Sequence, residues 1–153
     1  MKQRVIFRLA AGIAAALIAG CCLIGCGKNK RVTSQTEQTT FGIDVARYQG
    51  TIDWKKVAQS GIDFAIIRVG YRGKTDGIIK EDPNGRYNLQ EASKAGIKIG
   101  AYFFSTAISE EEAKEEAEWM GRILAKYPIT YPVVYDCEGF QEADSRQYEM
   151  SKQ

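Results

Sequence analysis

The sequence contains no histidine among its 153 residues. Histidine-based catalytic triads, histidine metal ligands and imidazole acid–base catalysis are therefore excluded for this chain. Proton transfer must depend on carboxylates, tyrosine or lysine. The net charge of +2 is small and includes the basic residues of the N-terminal segment, which argues against a nucleic-acid partner. No glycine-rich phosphate loop follows a strand, and no cofactor is expected.

Cysteine is nearly absent from the part of the chain that can form a domain. Three of the four cysteines lie within the first 27 residues, and only Cys137 remains. An internal disulfide is therefore impossible, and no zinc-site spacing is present. We expect Cys137 to be a small, buried apolar residue.

Residues 1–27 have the pattern of a secretory leader, because a basic start precedes a run of small and apolar residues. Small residues before Cys26 and before Cys21 resemble the lipidation box of bacterial lipoproteins. Cys26 is favoured because the sequence turns polar immediately after it, and Cys21 is the alternative. An uncleaved signal anchor remains open, since about 17 apolar residues just suffice to span a bilayer. Either way, we expect an exported domain anchored to the outer face of the bacterial cytoplasmic membrane, beyond a flexible linker at residues 28–40.

The remaining residues, 41–153, alternate between apolar strand patterns and helical patterns. Strands are predicted at 41–46, 63–70, 97–105 and 131–138, and helices at about 53–60, 87–94 and 109–127. Asp53 is a predicted N-cap, and Ser109 with Glu112 forms a predicted capping box. Residues 71–85 are predicted to be a loop. This alternation indicates an α/β fold with parallel strands.

Acidic residues at strand ends favour a (β/α) barrel, in which catalytic groups come from the carboxyl ends of the strands. The count is four parallel strands and three helices, whereas a closed barrel needs about eight strands. We therefore expect an incomplete TIM-like barrel and a C-terminally truncated chain, with an open four-stranded sheet as the alternative. An incomplete barrel leaves the edge of a parallel strand exposed.

Asp136 and Glu138 are two residues apart at the end of an apolar strand, so their side chains point the same way. Two such carboxyl groups influence each other, because ionising one raises the pKa of the other. One protonated and one ionised acid is the pair that glycosidic-bond cleavage requires. A solvated strand end and a Mg²⁺ site are the alternative interpretations. Asp44 is a third acid, on the first apolar strand.

Aromatic residues on or near the predicted strands are candidates for a sugar-binding cleft, although strand aromatics more often belong to the core. They are Tyr48, Tyr71, Tyr102, Phe104 and Tyr135. Arg68 lies within an apolar strand and needs a carboxylate partner if it is buried.

Six ordered blocks resemble glycoside hydrolase family 25, the Chalaropsis-type lysozymes or N-acetylmuramidases. They are GIDVA (42–46), YQGTIDW (48–54), FAIIRVG (64–70), Asn88 to Ile97, GAYFFS (100–105) and PVVYDCE (132–138). The resemblance implies cleavage of the β-1,4 bond between N-acetylmuramic acid and N-acetylglucosamine in peptidoglycan glycan strands.

The resemblance also implies roles for individual residues. Glu138 matches the family's proton donor, Asp136 its partner acid, and Asp44 the aspartate of the same cleft. Tyr102 and Phe104 fall where the family places cleft aromatics. This sequence departs from the family pattern in two ways. The family's later strands, which bring a further acid and aromatics, are missing here, and Ala46 stands in place of a serine. The alternatives are a non-catalytic wall-binding module and a carboxylate-dependent metal enzyme.

Overall fold

The computed structural model describes residues 39–148 and 150, which form five strands, three helices and two short 3₁₀ turns. The strands are β1 (Gly42–Val45), β2 (Phe64–Arg72), β3 (Ile79–Glu81), β4 (Lys98–Ser105) and β5 (Ile129–Cys137). The helices are α1 (Trp54–Gln59), α2 (Gly85–Lys94) and α3 (Glu110–Leu124). The 3₁₀ turns are Arg47–Gln49 and Gly139–Gln141.

Four of the strands form one parallel sheet in the order β1-β2-β4-β5. A helix lies between each neighbouring pair along the chain, as parallel strands require a crossover connection. The predicted α/β class, with four parallel strands and three helices, is confirmed.

Strand β3 was not predicted, because residues 71–85 were assigned to a loop. Ile79–Glu81 pairs antiparallel with the end of β2, which extends to Arg72. Strand β4 occupies one edge of β2 from Phe64 to Tyr71, so β3 lies on the other edge, beyond the end of β1. Three residues are too few to show a strand periodicity in the sequence.

The core lies between one face of the sheet and the helices. Alternate residues of β2 (Ala65, Ile67, Val69) and of β4 (Ile99, Ala101, Phe103) are buried there. They pack with residues from β1 and all three helices, namely Val45, Trp54, Leu89, Ala92, Met120 and Leu124. The intervening residues of β2 and β4 face the opposite side, which carries the polar and aromatic groups described below.

The helix starts follow the predicted caps with one difference. The Asp53 carboxylate accepts the Lys56 N–H at 3.2 Å, and the Ser109 hydroxyl accepts the Glu112 N–H at 3.3 Å. The Glu112 carboxylate, however, accepts the N–H of Ile108 at 2.9 Å rather than that of Ser109. Only the Ser109 half of the predicted capping box therefore forms, and the Glu112 side chain binds the backbone of the residue before the N-cap.

Strand β5 is the last strand of the sheet order and is the most exposed part of the sheet. Val133, Val134 and Tyr135 are 47%, 40% and 45% exposed, so both faces of this strand meet solvent. Within residues 39–148 and 150, β5 pairs with β4 alone, which matches the expected open parallel edge.

The predicted leader, Cys21, Cys26 and nearly all of the linker lie outside the described residues. Thr39 and Thr40 are exposed and have no regular structure. No helix in the described part of the chain is long and apolar enough to cross a membrane.

Candidate active site

A cleft of about 500 Å³ lies at the carboxyl ends of the parallel strands. Each of β1, β2, β4 and β5 places residues there. Arg68, Tyr102 and Phe104 alternate with the core residues of β2 and β4, whereas Tyr71 follows the irregularity in the pairing of β2 with β4 between Arg68 and Gly70. The lining residues are Asp44, Arg47, Tyr48, Arg68, Tyr71, Arg72, Gly73, Lys74, Tyr102, Phe104, Asp136, Glu138 and Glu142. The three acids singled out in the sequence thus share one cleft.

Asp136 and Glu138 lie at the end of β5, where Asp136 is in register with Phe104 on β4. Glu138 follows the last strand residue and begins the 3₁₀ turn. The pKa of Asp136 is raised above its usual value, first by burial and then by the charge of Glu138 and a hydrogen bond between the two carboxyl groups. Asp136 therefore retains its proton to a higher pH than an isolated aspartate does.

Asp44 contributes the third carboxyl group from β1, the strand at the opposite end of the sheet order from β5. Its side chain is exposed at the cleft, and its negative charge also raises the pKa of Asp136. The four strands run parallel in the order β1-β2-β4-β5, so their carboxyl ends, and the acids that they carry, lie on the same side of the sheet.

Arg68 is buried at the cleft, and its partner is Asp82, which no motif in the sequence marks. The Asp82 carboxylate accepts the Arg68 Nε–H at 2.8 Å, and Arg68 Nη2 lies 2.8 Å from the same oxygen without making an aligned hydrogen bond. Asp82 also accepts the backbone N–H groups of Arg47 and Asn84. One buried carboxylate thus ties β2 to the turn after β1 and to the segment before α2.

Four of the five candidate aromatic residues line the cleft. Tyr102 is largely desolvated, which raises its pKa to about 12. Tyr48 and Tyr71 each lie against two guanidinium groups, those of Arg47 and Arg68, at 5.0 to 5.5 Å from the ring centroids. Such rings offer flat apolar faces with polar tips, which suit the faces of sugars.

The prediction that Tyr135 could line the cleft was wrong. Successive strand residues point to opposite faces, so Tyr135 must lie behind the sheet if Asp136 faces the cleft. The Tyr135 hydroxyl accepts from Ser105 at 2.5 Å and donates to Glu116 on α3 at 2.7 Å. The expectation for Cys137 was also wrong: it is exposed, and its sulfur accepts from Gln147 at 3.1 Å.

Behind the sheet, Glu116 connects Tyr135 to Arg72 at the end of β2. The Glu116 side chain is fully buried, and its second oxygen accepts the Arg72 Nε–H at 2.6 Å. Arg72 also donates to the carbonyl of Gly77 at 2.6 Å. The strand that carries the acid pair is therefore fixed through side chains on α3 and β2 as well as by the sheet itself.

A larger depression, of about 610 Å³, lies elsewhere, between α1 and α2. Its two carboxylates are already paired, Asp53 with Lys56 and Glu91 with Lys94. The smaller cleft, which holds three acids and in which the pKa of Asp136 is raised, is therefore the candidate active site. The described part of the chain does not bring three acidic or cysteine ligands together in a metal-binding arrangement.

The sequence matches the family model described as glycosyl hydrolases family 25 over residues 43–153. Lysozyme M1 of Streptomyces globisporus is similar, at 34% identity over 83 residues, which are 54% of this chain and 26% of that protein. The chain thus spans about a quarter of the length of this curated relative.

Two solved structures share the fold. The modular autolysin LytC of Streptococcus pneumoniae, solved in complex with a synthetic peptidoglycan ligand, is 31% identical with a TM-score of 0.58. That match covers 69% of this chain and 24% of LytC. The bacterial lysozyme of Streptomyces coelicolor is 28% identical with a TM-score of 0.51, over 69% of this chain and 48% of that one.

Proposed function

The chain belongs to family 25 of the glycosyl hydrolases, and on that premise we propose that it is a peptidoglycan hydrolase. The proposed reaction is cleavage of the β-1,4 bond between N-acetylmuramic acid and N-acetylglucosamine. The observation that carries this proposal is the convergence of Asp44, Asp136 and Glu138 in one cleft, with the pKa of Asp136 raised.

In the proposed mechanism, Glu138 gives its proton to the glycosidic oxygen as the bond to the muramic acid C1 breaks. The oxygen leaves as the 4-hydroxyl of N-acetylglucosamine, and water adds to C1 and restores the proton. The exposed position of Glu138 just beyond the strand end allows it to reach the leaving oxygen. Proton transfer by a positioned acid of this kind contributes about 10²- to 10⁴-fold to the rate.

Asp136 is the proposed partner acid. In its ionised form it stabilises positive charge at C1 or orients the neighbouring acetamido group toward C1. Burial and the adjacent Glu138 raise its pKa, so Asp136 becomes ionised at a higher pH than an isolated aspartate does. Asp44 adds negative charge beside the same atoms, and Tyr71, Tyr102 and Phe104 are the proposed substrate-binding residues.

The test is clearing of purified cell walls, followed by turbidity. Glu138→Gln keeps the size of the side chain but removes the acid, and it should lower the clearing rate by about 10²-fold or more. Glu118→Gln is the matched control, because Glu118 is an exposed residue of α3 remote from the cleft. Clearing by Glu138→Gln at the native rate would remove the proposed role of Glu138.

A second candidate function is glycan binding without hydrolysis. It is favoured by the exposure of Asp44 and Glu138, since acid catalysts are normally tuned by burial. Sedimentation of the protein with insoluble walls, without release of soluble fragments by the native chain, would support this candidate.

We also propose that the domain is exported and tethered by a lipid on Cys26. The support is the leader sequence with a cysteine that follows small residues. Labelling of expressing bacteria with a palmitate analogue should mark the native chain and not Cys26→Ala. Labelling that persists in Cys26→Ala but is lost in Cys21→Ala would move the lipid to Cys21, and absence of label from the native chain itself would favour a signal anchor.

A further inference from the structure

Arg47 occupies a defined position at the rim of the cleft. It is the first residue of the 3₁₀ turn that follows β1, three residues after Asp44. Its backbone N–H donates to Asp82 at 3.0 Å, which fixes the chain at this point. Its guanidinium lies over the rings of Tyr48 and Tyr71, at 5.0 and 5.5 Å from their centroids.

The hydrogen bonds of the Arg47 guanidinium are long and leave donors free. Nη1 donates to the Tyr71 hydroxyl at 3.3 Å, and Nη2 donates to the Tyr48 hydroxyl at 3.4 Å. A guanidinium has five N–H donors in a planar fork that matches a carboxylate. The two tyrosines therefore orient this group without satisfying it.

The guanidinium of Arg47 also differs in its pairing from the other basic groups that line the cleft. Arg68 pairs with Asp82, Arg72 with Glu115 and Glu116, and Lys74 with Glu142. Among the residues that the structure describes, Arg47 has no ion-pair partner. An oriented cation with free donors at the rim of a cleft is a site for an anion.

We infer that Arg47 binds a carboxylate carried by the glycan strand and thereby selects carboxylated sugars over neutral ones. This inference rests on the proposed function. The shared chemistry is a carboxylate within reach of the cleft, and peptidoglycan offers two sources of it. In peptide-free strands the lactyl group of muramic acid is itself ionised, whereas in substituted strands that group is an amide and the stem peptide supplies the carboxylates.

The test is calorimetric binding in the Glu138→Gln background, which avoids turnover of the ligand. Three tetrasaccharides of alternating N-acetylmuramic acid and N-acetylglucosamine are compared. The first has free lactyl carboxylates, the second has them converted to neutral methylamides, and the third carries stem peptides. Chain length and sugar rings are the same in all three, so differences report the carboxylate and its source.

Adding Arg47→Gln should weaken binding of a carboxylated ligand by about three- to tenfold, in the range of an exposed charge-assisted contact. Binding of the methylamide ligand should not change. The difference should shrink between about 0.05 and 0.5 M salt, because screening acts on exposed charges. A loss with the peptide-free ligand assigns the lactyl carboxylate, and a loss confined to the third ligand assigns the stem peptide.

Two further variants separate charge and geometry from general effects. Arg47→Lys keeps the charge but lacks the fork, and should recover part of the affinity. Arg122→Gln removes an exposed arginine of α3 away from the cleft and should leave all three affinities unchanged. Equal losses on the neutral and carboxylated ligands, or no loss on either carboxylated ligand, would overturn the inference and leave the proposed function standing. Failure of Glu138→Gln to bind any of the three ligands, together with no wall clearing by the native chain, would overturn the proposed function itself.

Discussion

Arg68 and Asp82 form a buried ion pair at the cleft, with 2.8 Å between Nη2 and the carboxylate oxygen Oδ2. The Asp82 side chain is fully buried, and the same oxygen also accepts the backbone N–H of Arg47. The pair therefore holds the turn after β1 against β2 and keeps the Arg68 charge compensated next to the acids.

We predict that Asp82→Asn lowers the free energy of unfolding by roughly 3 to 5 kcal/mol, because it leaves the buried Arg68 charge without a partner. Urea unfolding measures the effect. Glu110→Gln is the control, since it removes one partner of an exposed pair with Lys114 and should cost less than about 1 kcal/mol. A cost for Asp82→Asn as small as that of the control would contradict the structural role of this pair.

The raised pKa of Asp136 predicts a cost in stability at neutral pH. The folded state holds the proton more tightly than the unfolded chain, so stability falls as pH rises from about the ordinary value of 3.8 through the raised folded pKa. Asp136→Asn should therefore unfold at a higher denaturant concentration than the native chain at pH 7. That advantage should disappear below pH of about 3.8.

Asp53 is the control, because its pKa is shifted in the opposite direction from that of Asp136. Its hydrogen bond from the Lys56 side chain, with help from the Lys56 backbone N–H, lowers the pKa of Asp53. The stabilisation is present above about pH 3.8 and is lost as pH falls through the lowered folded pKa. Asp53→Asn should thus destabilise at pH 7. If both substitutions shifted stability in the same direction at pH 7, the account of Asp136 would be wrong.

The hydroxyl of Tyr135 should stabilise the fold through its hydrogen bond to the buried Glu116. Tyr135→Phe leaves one oxygen of the buried Glu116 without its 2.7 Å donor, at an expected cost of about 1 to 3 kcal/mol. Tyr87→Phe is the matched control, because its exposed hydroxyl donates to the Ile52 carbonyl at the surface. Thermal unfolding of the two variants compares the costs, and equal shifts would contradict the role assigned to the Glu116 contact.

Gly100 allows β4 and β5 to approach closely. A Cβ at this position would lie 2.5 Å from the Pro132 carbonyl oxygen and 2.7 Å from Ile66, next to the irregularity in the pairing of β4 with β5. Gly100→Ala should therefore destabilise by about 1 to 3 kcal/mol and also reduce wall clearing, since β5 carries the acids. Gly121→Ala, where nothing lies within 4 Å on α3, should be neutral or stabilising. Equal stability of the two alanine variants would contradict this close approach.

The sequence predicted those features that depend on neighbours along the chain. The apolar runs of β2, β4 and β5 and the cap at Asp53 are local patterns, and the positions of Asp44 and Asp136 at the ends of parallel strands follow from topology. The partners of the two buried arginines were not predictable, because Asp82 is 14 residues from Arg68 and Glu116 is 44 residues from Arg72. Other acids in the same segments, such as Glu81 and Glu115, look the same in sequence, and only tertiary packing distinguishes them.

The exposure of Cys137 and the location of Tyr135 have a different explanation. Both were assigned from residue type, since cysteine is commonly buried and aromatic rings commonly bind sugars. Alternation along β5 overrides residue type for Tyr135 and places it on the face opposite Asp136. Alternation also predicts that Cys137 points away from the acids, so only its expected burial was wrong. That face of β5 is open in the described part of the chain, so Cys137 meets solvent.

The central claim is that the acid pair of Asp136 and Glu138 cleaves the glycan after N-acetylmuramic acid. The most direct measurement is the identity of the new reducing ends in wall fragments released by the chain, determined by borohydride reduction and analysis of the reduced amino sugars. We predict that reduced muramic acid accumulates with the native chain and not with Glu138→Gln. New reducing ends on N-acetylglucosamine, or equal release by Glu138→Gln, would contradict the claim.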